Sequence, residues 1–511
     1  MERSFLIDNG TAVTSYAAPP VRSDSATFFA FDDHAIPFRE NLRVRMHHAH
    51  KHPDNPVVPR GDVGDPDHVR AQYYGSVVCD GDRYRMWYVA AAAEAEHRPL
   101  SDRFDGWRPA YAESSDGVHW TKPALGLVDY RGSTRNNLVA VHPPDTTGIH
   151  LVVLDEPDDP KASQRYKMLL TVACHLRDEE RSTSLPLVSA DGLHWRTVVP
   201  SEFDNYHLRK PLLPPEAFEQ SGFYRWGGIY HVTGQQKSPW THLPDGSTCG
   251  RVMTIYRSRD LVHWEPTKAL GFVRDGYRTT RSGEGEEAHL PASVWNRGNV
   301  LLGLYGQWHG DPRADQRCMH LGLVCSNDGI HFREPVADFP IVQAGEDGRW
   351  DQGGLVSGQG FVHVGDHTLF WYGAWDLREI RSAALQRGAI GLAKLRRDGF
   401  GSIERIDERR PGTMVTCPFV SHRELNLFLN VGGTDDPSAL SVELLDQWER
   451  PVPGFSAGEI APLPGTGVQV PVAWRGAATL PAGGPYRLKV GISETDRSSL
   501  ELYALSLEPA G

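Results

Sequence analysis

SSDGVHW at 114–120 recurs as SADGLHW at 189–195, SRDLVHW at 258–264 and SNDGIHF at 326–332, with a degenerate fifth copy, LRRDGF, at 395–400. Their aspartates, Asp116, Asp191, Asp260, Asp328 and Asp398, stand 75, 69, 68 and 70 residues apart, so the chain carries a repeat of near-constant length. Alternating runs such as RPAYAE, VMTIYR and HLGLVC precede the copies, and an aromatic residue opens another short run after each. That order reads as strand, Asp-Gly turn, strand. A side chain that recurs at every turn is a turn former, because an aspartate there accepts hydrogen bonds from the turn amides. Trp120, Trp195 and Trp264 read as core spacers for the same reason.

Upstream of each copy lies a second hairpin: YYGSVVCDGDRYRMWYVA, HLVVLDEPDDPKASQRYKMLLTVA, SGFYRWGGIYHVTG, ASVWNRGNVLLGLYG and GFVHVGDHTLFWYGAW. Two hairpins make a four-stranded unit, and radial repetition of such units builds a β-propeller. The expected fold is all-β, a five-bladed β-propeller over residues 61–403. ERIDERRPG at 404–412 reads as a linker, charged and then closed by Pro-Gly. Residues 413–511 hold LNLFLNV, ALSVELL, VQVPVAW, YRLKVGI and LELYALSL, short runs split by turns, which read as a C-terminal β-sandwich. Residues 1–60 are expected as an N-terminal arm that packs on the propeller or closes its last blade.

The chain has 511 residues, 40% of them hydrophobic, which excludes both a single small module and a disordered chain. Its formal net charge of −12 repels phosphate backbones and anionic lipid, so neither nucleic acid nor membrane is expected as a partner. MERSFLIDNGTAVTSY lacks the pattern of a signal peptide, and no run approaches the ~18 apolar residues of a spanning helix; a cytoplasmic location is expected. Six scattered cysteines give no CxxC spacing, and no metal or cofactor is expected. The histidines at 47, 48, 50 and 52 have no carboxylate or cysteine at ligand spacing and read as a solvated or pocket-rim segment.

A propeller converges the starts of its first strands on one axis, which narrows the search for chemistry to five stretches. They are GDPDHVRAQ, DTTGIH, PEAFEQ, GEGEEAH and RWDQGG, and they hold Asp67, Glu219, Glu287 and Asp351 among other carboxylates. A ring of carboxylates suits glycoside hydrolysis, in which one acid protonates the leaving oxygen and a second carboxylate acts as nucleophile or base. Imidazoles His150 and His289 lie in the same stretches and can hold hydroxyls or carry a proton. Trp226, Trp308, Trp350 and Trp375 near strand ends offer faces on which sugars stack.

The blade pattern, the repeated SxDGxHW and the terminal sandwich resemble the five-bladed propeller glycosidases, the clan of glycoside hydrolase families 32 and 43 and their distant relatives. The resemblance covers roughly residues 61–511. Family 32 carries a Glu-Cys-Pro acid/base at the third blade; AFEQSGFYRW places Glu219 there, followed by Gln220. The first-blade aspartate falls near Gln72, with Asp67 just upstream, and His150 stands where the second-blade aspartate belongs. What the resemblance implies is an exo-acting hydrolase of short oligosaccharides or glycosides that removes a terminal furanosyl unit, fructosyl or arabinosyl. Glu219 would be the proton donor and Asp67, Glu287 or Asp351 its partner, with Gln72, Arg70, His150, His289, Trp226, Trp308 and Trp350 around the substrate.

Two other readings stay open at this point. A phosphorylase would need a cationic phosphate site, for which Arg70, Arg225, Arg281 and Arg297 are candidates. A non-catalytic carbohydrate-binding propeller would show equivalent sites, whereas the five stretches differ from one another. The sandwich is open to a role in packing or in a homo-oligomer.

Overall fold

The computed structural model describes residues 21–92, 107–142, 146, 148–176, 179–198, 203–204, 207–208, 213, 218–237, 251–274, 288–309, 318–376, 388–433, 437–493 and 500–511. Strands dominate it. Each of the five sequence units folds as an antiparallel meander whose first strand is Arg70–Asp80, His150–Asp155, Glu219–Trp226, Ala288–Asn296 or Leu355–Val364. We number these units 1 to 5. Their first strands neighbour one another in cyclic order, unit 1 beside 2 and so on to unit 5 beside 1. The ring closes through parallel contacts of Gln359 with Ser76 and of Gly388 with Arg70, which join units 5 and 1 into one seven-stranded sheet.

The repeated turns explain the meander. In unit 1, Asp116 Oδ1 accepts from the amides of Val118 and His119 at 2.8 Å each, while its Oδ2 pairs with His119 Nδ1 at 2.7 Å. Asp191, Asp260 and Asp328 repeat the arrangement. In the degenerate fifth copy Asp398 turns instead to His363 at 3.0 Å and Arg297 at 3.1 Å. These turns also tie units together. Trp371 Nε1 of unit 5 donates to Gly117 O of unit 1, Trp87 Nε1 of unit 1 to Gly192 O of unit 2, and the Tyr224 hydroxyl of unit 3 to Gly329 O of unit 4, at 3.0, 2.7 and 2.7 Å.

Along the axis the first strands touch. A Cβ on Gly222 would stand 2.1 Å from Ala292 O of the next unit, and one on Gly358 2.2 Å from the Tyr73 ring. Only glycine permits that approach.

Two further sheets enclose a common core that includes Phe28, Leu427, Leu429, Val442, Leu488, Val490, Leu505 and Leu507. One contains Gly412–Val415, Phe419–Ser421, Leu440–Leu445 and Gly483–Ile492; the other contains Leu425–Gly432, Gly467–Val472 and Glu501–Pro509. The N-terminal segment, expected as an arm on the repeats, supplies Val21–Arg22 and Phe38–Glu40 to the first of these sheets and Ala26–Phe29 and Leu42–Met46 to the second. His50–Lys51 pairs with Ala393 and Lys394, and so adds the last strand of unit 5. The expected linker at 404–412 begins inside a strand of the second sheet, Gly401–Arg405, and ends in one of the first. Among the described residues no helix is long and apolar enough to cross a membrane.

Candidate functional site

In each unit the first strand starts, the second strand ends and the third strand starts at the same end of the ring, which we call the mouth. Glu219 opens the first strand of unit 3 and faces Gln235 on the second strand. It is half-buried, and Gln235 Nε2 donates a hydrogen bond to its Oε2. His150 opens the first strand of unit 2 and is buried. Burial, opposed by the Glu219 charge, holds its imidazole down at about 4, so it is neutral at physiological pH. His289 on unit 4 is held well below the usual range by burial, with Arg251 and His150 adding to the effect.

Aromatic rings join these groups. The Tyr74 ring lies 4.3 Å from His150, edge-on, and 6.3 Å from His289. Trp308 lies 5.9 Å from His289 and carries the Arg251 guanidinium 5.6 Å from its ring centre. Arg70, fully buried, sits over Trp375 at 4.5 Å and Trp107 at 5.2 Å, and its Nη1 donates to Gln72 Oε1 at 3.2 Å.

Below this level the axis is closed. Gln359 of unit 5 accepts from Phe223 N and donates to Phe223 O of unit 3, both at 2.9 Å, and its amide reaches Val153 O of unit 2 at 3.4 Å. Units 2 and 3 are not neighbours of unit 5 in the ring, so the side chain crosses the axis. Among the described residues the arrangement offers a dead end that holds the Glu219 carboxylate, uncharged imidazoles and aromatic walls.

Of the residues singled out in the sequence, the mouth brings together Glu219, His150, His289, Arg70, Gln72 and Trp308. Asp67 and Asp351 stand just before the first strands of units 1 and 5, at the same end of the ring, and are held in ion pairs. Asp67 Oδ2 accepts from the Tyr88 hydroxyl at 2.7 Å and from Lys122 Nζ at 2.6 Å; Asp351 Oδ2 accepts from Tyr372 at 3.3 Å and Lys51 at 2.5 Å. Trp226 ends the strand that Glu219 begins, roughly 20 Å away at the strand rise. Trp350 stacks on Tyr372 and lines a lateral groove of about 710 Å³ with residues 48–53 and 343–346. Glu287 and Arg281 lie outside the described residues. The histidine cluster is split: His47 contacts Ser402 and His48 contacts Pro340 O. Among the described residues no group of three or more His, Cys, Asp or Glu is placed to hold a metal.

Sequence reasoning missed Tyr74, Thr171, Gln235, Arg251 and Trp107. Gln235 was not within reach: counting outward from the Gly227-Gly228 turn sets Gln236 opposite Glu219, and a register shift between Gln220 and Phe223 moves the partner to Gln235.

No family model matches the chain, and no curated protein matches it. Solved structures similar to it include an N-acetylgalactosamine deacetylase from F. plautii in complex with blood group B trisaccharide, at 17% identity, 70% coverage of this chain and 96% of that one, TM-score 0.43. A β-1,2-mannobiose phosphorylase from Listeria innocua gives 12%, 68% and 96%, TM-score 0.42. A glycosyl hydrolase from Bacteroides ovatus gives 15%, 69% and 94%, TM-score 0.40.

Proposed function

We propose that units 1 to 5 are the blades of a five-bladed β-propeller, that the two C-terminal sheets form a β-sandwich, and that the mouth of the propeller is the active site of an exo-acting glycoside hydrolase. The observation that supports this best is Glu219, a half-buried carboxylate fixed by Gln235 beside a neutral imidazole and aromatic rings. A carboxyl group so held exchanges a proton with the glycosidic oxygen as the bond to the leaving sugar breaks. The partner carboxylate is Glu287, two residues before His289 in the sequence; Asp67 and Asp351 are engaged by lysines. Closure of the axis by Gln359 favours release of one terminal unit from a short oligosaccharide.

A second reading is phosphorolysis. Arg251, half-buried over Trp308, is a guanidinium at the same mouth and suits a phosphate acceptor in place of water.

Proton NMR of the protein incubated with fructo-, arabino-, galacto-, gluco- and manno-oligosaccharides, with and without phosphate, tests both. Free sugar without phosphate is the expected result, and the furanosyl unit implied by the resemblance is read directly from which oligosaccharide is cut. A sugar phosphate formed only with phosphate would establish the second reading. No turnover of any substrate would overturn both.

A further inference from the structure

Besides Trp375 Nε1 under Arg70, four polar atoms at the mouth are buried and have no hydrogen-bond partner among the described residues: Gln72 Nε2, His150 Nδ1, Thr171 Oγ1 and His289 Nδ1. They belong together in space. Thr171 stands directly opposite His150 across the first hairpin of unit 2. Tyr74 touches the rings of both histidines, and Gln72 lies two residues before it on the same strand, its Oε1 already used by Arg70. Comparable amides on the same ring of strands find partners: Gln359 holds Phe223, and Gln220 Nε2 donates to Leu169 O at 2.5 Å.

Each unpaired buried polar group costs about 1–3 kcal/mol, so four in one place imply something other than the fold that satisfies them. We propose that the mouth recognises one uncharged, polyhydroxylated sugar ring through Gln72 Nε2, Thr171 Oγ1 and the Nδ1 atoms of His150 and His289. A sugar hydroxyl both donates and accepts, and so fits an amide, a hydroxyl and two neutral imidazoles alike. Neither imidazole is charged near neutral pH, and neither offers a cation to a sugar acid. Glu219 beside them disfavours an anionic ring. Of the guanidinium groups described at the mouth, Arg70 is spent on Trp107, Trp375 and Gln72, and Arg251 lies over Trp308 on the side of His289, so a uronate bound as tightly as a neutral sugar would mark Arg251 as its partner. The inference rests on the carbohydrate reading of the mouth and names the groups that select the ring.

The test is binding, which does not depend on turnover. Calorimetric titration of the full-length protein with fructose, arabinose, mannose, galactose and glucose, and with glucuronate and galacturonate, is compared with Thr171→Val and His150→Phe. A neutral sugar should bind, at least one variant should weaken it by about tenfold, the loss of one hydrogen bond to a buried partner, and the uronates should not bind. Because each variant removes an unpaired group, its melting temperature should stay equal or rise. Binding left unchanged by both variants, a fall of several degrees in Thr171→Val, or a uronate bound as tightly as the neutral sugar would overturn the inference and leave the carbohydrate reading standing. No binding of any sugar would overturn both.

Discussion

Asp67 and Asp351 occupy the same place in units 1 and 5. Each precedes a first strand, each accepts from a tyrosine 21 residues later on the second strand, Tyr88 or Tyr372, and each is paired with a lysine, Lys122 or Lys51. Even the outer layer repeats: Asn137 Nδ2 donates to the Tyr88 oxygen at 2.8 Å and Asn55 Nδ2 to that of Tyr372 at 3.2 Å. A cluster that recurs where the fold recurs is a clip between strands, whereas chemistry needs a group that occurs once.

The two kinds of carboxylate therefore separate by mutation. Asp67→Asn and Asp351→Asn remove the charge that compensates a lysine, and each should cost about 2–4 kcal/mol of stability. The folded protein should still turn over within a few-fold of the parent. Urea unfolding and steady-state rates measured on the same samples check both halves.

Close approach at the axis gives a second prediction. Gly222→Ala puts a methyl group on Ala292 O, where nothing flexible can give way, and should destabilise the protein by about 3 kcal/mol or prevent its folding. Gly228→Ala, at a turn with open space but φ of +79°, should cost about 1 kcal/mol, because only the backbone conformation resists it. The difference between the two denaturation midpoints is the readout.

Acid should loosen the repeats before it touches the cores. For Asp116, Asp191, Asp260 and Asp328, burial works to raise the carboxyl, but the turn amides, the serine and the paired histidine outweigh it and hold all four below the ordinary value of 3.8, Asp328 at about 2. A depressed carboxyl contributes stability that is present above pH 3.8 and lost as pH falls through the folded value. The melting temperature should thus hold down to about pH 4 and drop steeply toward pH 2, with a shallower drop in Asp191→Asn. Equal slopes in the parent and the variant would contradict this.

Reading of the repeats from the sequence worked where the signal was local. Alternation and the Asp-Gly turn marked the hairpins, and their spacing marked the units, because a hairpin is decided by neighbours in the chain. Glu219 was legible as the start of a strand. The added strands from residues 21–51 were not, because they pair with partners hundreds of residues away and no local pattern announces such a pairing. Trp226, which ends the strand that Glu219 begins, misled for a related reason. Distance along the sequence says that a residue is near a strand end; which end, and which face, follows only from the pairing register.

The most direct test of the account is the initial rate of Glu219→Gln on whichever oligosaccharide the parent cuts, measured beside its melting temperature. Proton transfer by a positioned carboxyl is worth roughly 10²–10⁴-fold, so the rate should fall by that factor while the fold, in which the amide of Gln235 holds Glu219 near the ring of His150, stays equally stable. A variant that keeps the parent's rate, correctly folded, would contradict Glu219 as the proton-transferring group and with it the placement of the active site at this mouth.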